Sequence, residues 1–472
     1  MYKAPSSIRT SACRCAVAAL AFSLFGCAAP TPELDFAPPT LNLDRGAFAE
    51  SVAYGINLGG AEFVTSAGED LRGDDCSPAE GGAQCDMLPD VTRSQNSELY
   101  RSFRRGDQEY VIALPDGEYD VVLYFVEPDP EAGKTRRFSV SMEDQIVLKS
   151  FNLLEVNAMQ SAAAMTRAFP RVTVADGALD ISLRSVTGDP VLCGILVRRS
   201  RFSDQGWNLV WSDEFDRNDL TTSAWTAENW PAMVVNDEEQ AYTDQQKNVR
   251  VEDGVLILEA HPSSGDAAYT SGRVHSANNQ SFLYGRLDIR ARVPEGKGVW
   301  PALWLLPEDP YRYATNCGQN VADWQGNDDC DAWPNSGEID LMEHVGYEPG
   351  VVHGTVHTRD YYGGRGTQIG EAVVVPGLGE RFHVYTLVWE PSRLAMYVDG
   401  VRYFAYFENG EGVGQWPFDH AFHIVMNLAV GGAWGAALGP VDASVLPRRL
   451  EVDYLRLFKA SVAPGAGGAS VD

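Results

Sequence analysis

The chain has little positive charge. Its 37 Lys and Arg residues stand against 65 Asp and Glu residues, which gives a formal net charge of -28 at pH 7. Nucleic acid would be repelled by this balance, so we exclude it as a partner. Patterns of long amphipathic helices are missing, whereas polar and apolar residues alternate in many short segments. This alternation predicts an all-β protein.

The first 27 residues have the features of an export signal. Three basic residues precede the apolar run 15–25, and no later segment is long and apolar enough to span a bilayer. Residues 24–27 resemble the lipobox of bacterial lipoproteins, in which Cys27 is acylated, although Phe25 is unusual there. We therefore expect an outer-membrane or cell-surface lipoprotein attached to the membrane only through Cys27. The alternative is a periplasmic or secreted protein cleaved by the ordinary signal peptidase.

Five cysteines follow the signal segment, and export permits disulfides. Short spacings suggest two pairs, each closing a loop rich in Gly and Asp: Cys76 with Cys85, and Cys317 with Cys330. Cys193 is left over in the apolar run 191–197, where we expect a buried free thiol. A cysteine metal site is disfavoured because these loops lack histidine.

The remaining chain divides into four parts. A Pro-rich linker covers 28–45, a first β-sandwich 46–200, a second β-sandwich 205–459 and an Ala/Gly/Ser-rich tail 460–472.

The segment Gly337-Glu-Ile-Asp-Leu-Met-Glu-His344 places three carboxylates in a strand-like, otherwise apolar context. Side chains alternate in a strand, so Glu338 and Asp340 share one face while Glu343 belongs to the other. A β-bulge at Leu341 and Met342 would return Glu343 to the face of the other two acids.

Two carboxyl groups on one face, about 5 Å apart, suit glycoside hydrolysis with retention of configuration. Glu338 is then the nucleophile, ionised before attack. Asp340 assists it by holding or sharing a proton, and Glu343 is the acid/base that begins the cycle protonated. A solvated acidic edge strand and a calcium site are the alternatives, which the flanking Ile, Leu and Met disfavour.

The acidic segment resembles the catalytic signature of glycoside hydrolase family 16, in the bulged form of its laminarinases. Further segments resemble this family in the expected order: 209–215, 297–306, 353–358, 427–432 and 452–454. The resemblance implies a jelly-roll sandwich with a concave substrate cleft. It also implies that sugar contacts come from Asn236, Arg273, Trp300, Trp304, His357, Asn427 and Trp434. A structural calcium, not required for catalysis, would be held by Glu214, the Gly254 backbone and Asp453.

The first sandwich is similar to the malectin fold, which binds carbohydrate, through segments 54–60, 99–102, 116–127 and 136–140. By this resemblance Tyr100 and Asp189 contact sugar. The segment Pro128-Asp129-Pro130 departs from malectin, which has stacking aromatic residues there. A spacer that carries no ligand is an equally weighted alternative.

These observations predict a monomeric endo-glycosidase that acts on β-1,3-glucan. Within the family, mixed-linkage β-glucan, agar and carrageenan are alternative substrates. A transglycosylase and a non-catalytic glucan-binding protein are alternative functions. The insertion at 310–333 adjoins the acidic strand and leaves open whether cutting occurs within chains or near their ends.

Overall fold

The computed structural model of the chain describes residues 52–74, 84–156, 160–199, 206–217, 220, 224–315 and 331–460. Two bodies of β-sheet follow one another, which we call the N-terminal body (52–199) and the C-terminal body (206–460). Strands dominate both, so the prediction of an all-β protein is confirmed. None of the helices in the described ranges has the length and apolar character needed to cross a membrane.

The strands of the N-terminal body are β1 (Val52–Asn57), β2 (Phe63–Val64), β3 (Asp70–Gly73), β4 (Gln84–Met87), β5 (Ser102–Arg105), β6 (Gln108–Ala113), β7 (Gly117–Phe125), β8 (Arg137–Met142), β9 (Gln145–Phe151), β10 (Met165–Val174), β11 (Ala178–Thr187), β12 (Val191–Leu192) and β13 (Gly194–Arg198). Its helices are α1 (Pro130–Gly133), α2 (Leu153–Val156) and a 3-10 turn at Ser97–Tyr100.

The strands of the C-terminal body are β14 (Trp207–Asp213), β15 (Thr226–Ala227), β16 (Gln240–Tyr242), β17 (Val249–Glu252), β18 (Val255–Pro262), β19 (Tyr269–Ser271), β20 (Arg273–His275), β21 (Ser281–Phe282), β22 (Gly285–Arg292), β23 (Val299–Pro307), β24 (Glu338–Glu343), β25 (Val351–His357), β26 (Ile369–Val374), β27 (His383–Glu390), β28 (Arg393–Val398), β29 (Val401–Phe407), β30 (Phe422–Val430) and β31 (Arg448–Ala460). Its helices are α3 (Ala332–Asn335) and α4 (Gly432–Gly435), with 3-10 turns at Gly363–Arg365 and Ala443–Val445.

Two sheets form the C-terminal body. The first, which we call the acid-bearing sheet, runs in the order β15, β20, β30, β23, β24, β25 and β26. The second runs in the order β16, β19, β18, β31, β22, β27, β28 and β29. The turn between β28 and β29 is a case in which the local sequence determines the structure. Asp399 and Gly400 tolerate positive φ and adopt values of 49° and 80° in a tight hairpin.

The acid-bearing sheet continues into the N-terminal body. Strand β26 pairs in parallel with β10, which is followed by β7, β13, β1, β3 and β2. Smaller sheets made of β6, β11, β8 and β9, and of β12, β5 and β4, complete that body. One cluster of contacting buried apolar residues extends through both bodies.

A buried ion cluster also joins the two bodies. Glu69 of the N-terminal body is 3% exposed and bonds to Arg198, with an N–O distance of 3.0 Å, and to Arg402 of β29. Burial alone would raise the pKa of Glu69, but the two guanidinium groups more than offset it and lower that pKa. Glu69 is therefore ionised at neutral pH, and its single negative charge is shared between the two arginines.

We expect Glu69→Gln to lower the free energy of unfolding at pH 7 by about 3 to 5 kcal/mol, because two buried guanidinium groups lose their counter-ion. The ionised Glu69 stabilises the fold above the ordinary glutamate pKa of about 4.3, so the difference from wild type should shrink as the pH falls below that value. Denaturant unfolding at several pH values measures this difference. The control is Glu98→Gln, which breaks an exposed pair with Arg101 and should change stability by less than about 1 kcal/mol.

Candidate active site

Strand β24 carries the three acids and contains an irregularity. Against β23, Glu343 pairs with Ala302 and Met342 with Leu303, but the next pair joins Asp340 to Trp304. Leu341 is thus an extra residue on β24. This confirms the predicted bulge, and the pairing against β25 shifts over the same interval.

Neighbouring residues support the bulge. Tyr403 of β29, which is 2% exposed, donates its hydroxyl to the Leu341 carbonyl from the facing sheet. Because a bulge leaves one residue without a partner in the ladder, this hydrogen bond satisfies a buried acceptor. Before β24, Gly337 turns the chain with a φ of 92°, a conformation that glycine adopts without strain.

The strand register brings the acids and most predicted cleft residues onto one face. Glu338, Asp340 and Glu343 lie directly opposite His357, Thr355 and His353 of β25. By the same cross-strand pairing, this face of the sheet also carries Trp300, Trp304, Asn427 and Arg273. Residues separated by up to 154 positions in the sequence therefore meet on one surface.

Glu338 and Glu343, the two outer acids of the three, each accept a hydrogen bond from an indole N–H. Trp333 Nε1 lies 2.9 Å from Glu338 Oε2, and Trp300 Nε1 lies 3.1 Å from Glu343 Oε1. His357 Nε2 lies 3.3 Å from Asp340 Oδ2 and 3.8 Å from Glu338 Oε1. These contacts hold two carboxyl groups in defined orientations and place an imidazole beside the acid between them.

Burial raises the pKa of all three acids. The pKa of Glu338 rises to about 8, through burial and then the neighbouring charge of Asp340, and that of Glu343 rises to about 7, mainly through burial. The pKa of Asp340 is also raised, by burial and by Glu343. We expected an ionised Glu338 beside a protonated Glu343. Burial, and after it the charge of Asp340, opposes the ionised form of Glu338. The roles of the two glutamates stay predictions.

Trp304, Asn427 and Arg273 form a tightly bonded group beside the acids. Asn427 accepts a hydrogen bond from Trp304 Nε1 at 2.7 Å and donates one to the Tyr242 hydroxyl at 3.1 Å. The guanidinium of Arg273 lies 4.9 Å from the centre of the Trp304 ring and 4.4 Å from that of Trp230. Asn427 therefore orients Trp304. Its amide has a further N–H and a further acceptor lone pair, so a bond to a sugar hydroxyl stays a prediction.

Trp434 stands at the end of the site near Glu343. It lies in α4, directly after β30, and its ring packs edge-on against Trp300 with the centroids 5.6 Å apart. Asn236 is exposed and adopts a φ of 51° in the adjoining loop, where its carbonyl accepts a hydrogen bond from the Ala433 amide. The turn-forming interpretation of Asn236 thus holds, and its side chain contacts Glu238 at 3.3 Å.

The two sugar-contact residues predicted in the N-terminal body have different surroundings. Tyr100 is 1% exposed, and its ring packs edge-on against Tyr124 at 5.7 Å. A sugar has no access to this ring, so that prediction is wrong. Asp189 has an exposed side chain, while its carbonyl accepts a hydrogen bond from Arg136.

Two of the predicted calcium ligands, Glu214 and Asp453, bond to arginines. Glu214 bonds to Arg456 at 2.8 Å and Asp453 bonds to Arg290, so guanidinium groups already neutralise both carboxylates. Calcium binding by these residues and the Gly254 backbone stays a prediction, and it would require both carboxylates to leave their arginine partners. Among the His, Cys, Asp and Glu side chains of the described ranges, the one triplet whose ligand atoms lie within 4.8 Å of one another is the active-site set Glu338, Asp340 and His357.

The cysteine predictions have mixed outcomes. Cys193 is buried and free, as predicted. Cys85 is disulfide-bonded, while its expected partner Cys76 lies outside the described residues. Cys27, Cys317 and Cys330 also lie outside them, as does most of the insertion, residues 316–330.

Trp333 is a functional candidate that the sequence analysis missed. Besides its bond to Glu338, its ring lies 5.8 Å from that of His357 and 5.6 Å from that of Tyr362. With 41% of its surface exposed, it offers an aromatic platform beside the acids. Its position five residues before Glu338 is the signal that would have identified it.

The sandwich and its strand of paired acids define the class of protein: a β-sandwich glycoside hydrolase. Residues 236–455 match the model of glycosyl hydrolases family 16, and residues 52–195 match that of the malectin domain. A beta-glucanase of Rhodothermus marinus is 42% identical over 284 residues, covering 57% of this chain and 92% of that protein. The chain therefore belongs to glycosyl hydrolase family 16, with a malectin domain preceding the catalytic domain.

A second glucanase sequence and a solved structure are also similar to this chain. Glucan endo-1,3-beta-glucosidase A1 of Niallia circulans is 36% identical over 319 residues, which cover 61% of this chain and 41% of that protein. The X-ray structure of the laminarinase from Rhodothermus marinus is 41% identical, covers 54% of this chain and 98% of that chain, and has a TM-score of 0.48.

The charge of Asp340 should influence the pH profile. In its predicted role as nucleophile Glu338 must be ionised, so activity should rise as the pH rises through its raised pKa. Asp340→Asn removes a neighbouring negative charge and should move the acidic limb of kcat/KM to lower pH by about one pH unit or more. Thr355→Val, directly opposite Asp340, is the uncharged control. An acidic limb that stays in place in Asp340→Asn would contradict this account.

Proposed function

We propose that this protein is an endo-acting hydrolase of β-1,3-glucan that retains the configuration of the anomeric carbon. The observation that carries the proposal is the bulged strand β24, which presents Glu338, Asp340 and Glu343 on one face of the acid-bearing sheet. The names of the Rhodothermus and Niallia relatives support a β-glucan substrate. The aromatic residues near the acids suit the apolar faces of a pyranose chain.

In this mechanism Glu338 attacks the anomeric carbon and forms a covalent glycosyl-enzyme. Glu343 protonates the departing glycosidic oxygen and then removes a proton from the water that releases the product. Asp340 shares a proton with Glu338 and so helps Glu338 to ionise before attack, and His357 lies within reach of both acids. The Trp300 and Trp333 N–H groups keep Glu343 and Glu338 oriented. These protein groups supply the whole reaction, so no cofactor is needed.

The substrate is tested with laminarin, mixed-linkage β-glucan, agarose and carrageenan. We expect laminarin to be hydrolysed fastest and to give mixed short oligosaccharides, the pattern of cutting within chains. Release of one small product throughout would indicate action at chain ends. Products longer than the substrate would identify a transglycosylase. Faster hydrolysis of another polysaccharide would show that the enzyme prefers that polysaccharide to β-1,3-glucan. Binding without cleavage would show that the protein is a glucan-binding protein and not an enzyme.

The roles of the two glutamates are separated by substrates with different leaving groups. Glu338→Gln should lose at least about 10⁴-fold in kcat on every substrate, because the nucleophile is absent. Glu343→Gln should lose about 10² to 10⁴-fold on glucan, but should still release dinitrophenol from an aryl glucoside that needs no protonation. Unchanged melting temperature or circular dichroism shows that each variant folds. Equal losses by Glu343→Gln on both substrates would refute its assignment as acid.

A further inference from the structure

We infer that the malectin domain is part of the catalytic apparatus, because its Arg167 holds in place the side chains that flank the general acid. Arg167 is thus a positioning residue for a site on the other domain. This inference rests on the proposed roles of the acids, and it assigns to the malectin domain a task other than carbohydrate binding.

Strand β10 of the malectin domain extends the acid-bearing sheet. Ala168 of β10 pairs in parallel with Val373 of β26, and the Thr166 hydroxyl accepts a hydrogen bond from the Ala372 amide at 3.2 Å. The backbone on either side of Arg167 is therefore anchored to the catalytic domain. Its side chain can be held in one position relative to β25 and β24.

A buried ion pair crosses the domain boundary. Arg167 is 1% exposed and pairs with Glu348, which is 6% exposed and lies in the loop between β24 and β25. Arg167 also donates to the Thr166 carbonyl at 2.7 Å and lies 5.4 Å from the centre of the Phe151 ring. Packing on the malectin core thus fixes the guanidinium, which in turn fixes the carboxylate of Glu348.

Glu348 contacts a residue of the active site. Its second oxygen lies 2.9 Å from His353 Nε2, and His353 is the residue opposite Glu343 on β25. The His353 ring packs edge-on against Trp434, with the centroids 5.0 Å apart. Trp434 packs against Trp300, whose indole N–H bonds to Glu343. The contacts therefore run from Arg167 to both sides of the general acid.

The charges in this chain of contacts are consistent with a fixed arrangement. Burial would raise the pKa of Glu348, but Arg167 and His353 more than offset this effect, so Glu348 is ionised. Burial lowers the pKa of His353, and the positive charges of Arg167 and Arg93 act in the same direction against the pull of Glu348. A neutral His353 then bridges the ionised Glu348 and the aromatic pair. Without Arg167, Glu348 becomes a buried charge whose remaining partner is His353.

The test compares Arg167→Met with Gln95→Leu in the full chain. Gln95 also crosses the domain boundary, exchanging two hydrogen bonds of 2.7 and 3.0 Å with the Phe407 backbone. Within the part of the chain that the structure describes, neither bond involves the acids or the residues that flank them. We expect Arg167→Met to raise KM about tenfold, because Trp434 and Trp300 lose their support as surfaces for the sugar. It should also lower kcat by up to about threefold, because the Trp300 N–H then holds Glu343 less firmly. Gln95→Leu should leave both constants unchanged, although both variants lower the melting temperature.

Two further variants keep the inference testable if Arg167→Met does not fold. Arg167→Lys retains the charge and should give a KM between those of wild type and Arg167→Met. The Arg167→Met/Glu348→Gln double variant leaves neither charge unpaired, and it should fold with a raised KM. A wild-type KM in the double variant, or in a folded Arg167→Met protein, would overturn the inference and leave Arg167 a purely structural role.

The kinetics are measured on whichever polysaccharide the wild type hydrolyses fastest. A preference for a substrate other than laminarin would contradict the proposed specificity without affecting the comparison of variants. Conversely, wild-type kinetic constants in the Arg167 variants would reject the positioning role while leaving the proposed function intact.

Discussion

The active site depends on one extra residue in strand β24. Strand geometry sends alternate side chains to opposite faces, so a regular strand would direct either Glu343 or the pair Glu338 and Asp340 into the core. Leu341 removes this conflict because it opposes no residue of its own on β23. The price of a bulge is an unpaired backbone group, and the Tyr403 hydroxyl satisfies the carbonyl from the facing sheet. The second sheet therefore contributes to catalysis by stabilising an irregularity in the first.

The three carboxyl groups on one buried face lower the stability of the folded protein. Burial raises the pKa values of Glu338 and Glu343 to about 8 and about 7, so the folded state binds their protons more tightly than the unfolded chain does. Stability therefore falls as the pH rises from about 4.3, the ordinary glutamate pKa, and the loss is complete near pH 8. Indole N–H donors offset part of the cost at Glu338 and Glu343, since a hydrogen bond to the ionised form favours it. The aromatic residues of the site thus have two tasks: they stabilise charge as well as offering surface to a sugar.

Local patterns in the sequence predicted local structure well. The hairpin at Asp399 and Gly400 and the bulge in the acidic strand both follow from rules that act within a few residues. Predictions that depended on distant partners did less well. Tyr100 is buried, and Glu214 and Asp453 are paired with arginines, because tertiary packing decides exposure and charge partners.

The ion pair between Arg167 and Glu348 is another contact that the sequence does not predict, since 181 positions separate its members. No periodicity or local motif links two such residues. Asn427 was recognised as a residue of the site, but its bonding to Trp304 and Tyr242 depends on strands that are remote in sequence. Residue type and register therefore predict which face a side chain occupies, whereas its bonding partners require the three-dimensional structure.

Continuity of the sheet through β26 and β10 also bears on the solubility of the catalytic domain. In the whole chain β26 has β25 on one side and β10 on the other, so its backbone is not an open edge. A fragment that begins after the malectin domain would expose the outer side of β26, including the Ala372 amide that now bonds to Thr166. An exposed, apolar edge strand invites pairing with a second chain. In the whole chain, strand β10 of the malectin domain covers this edge of the catalytic sheet.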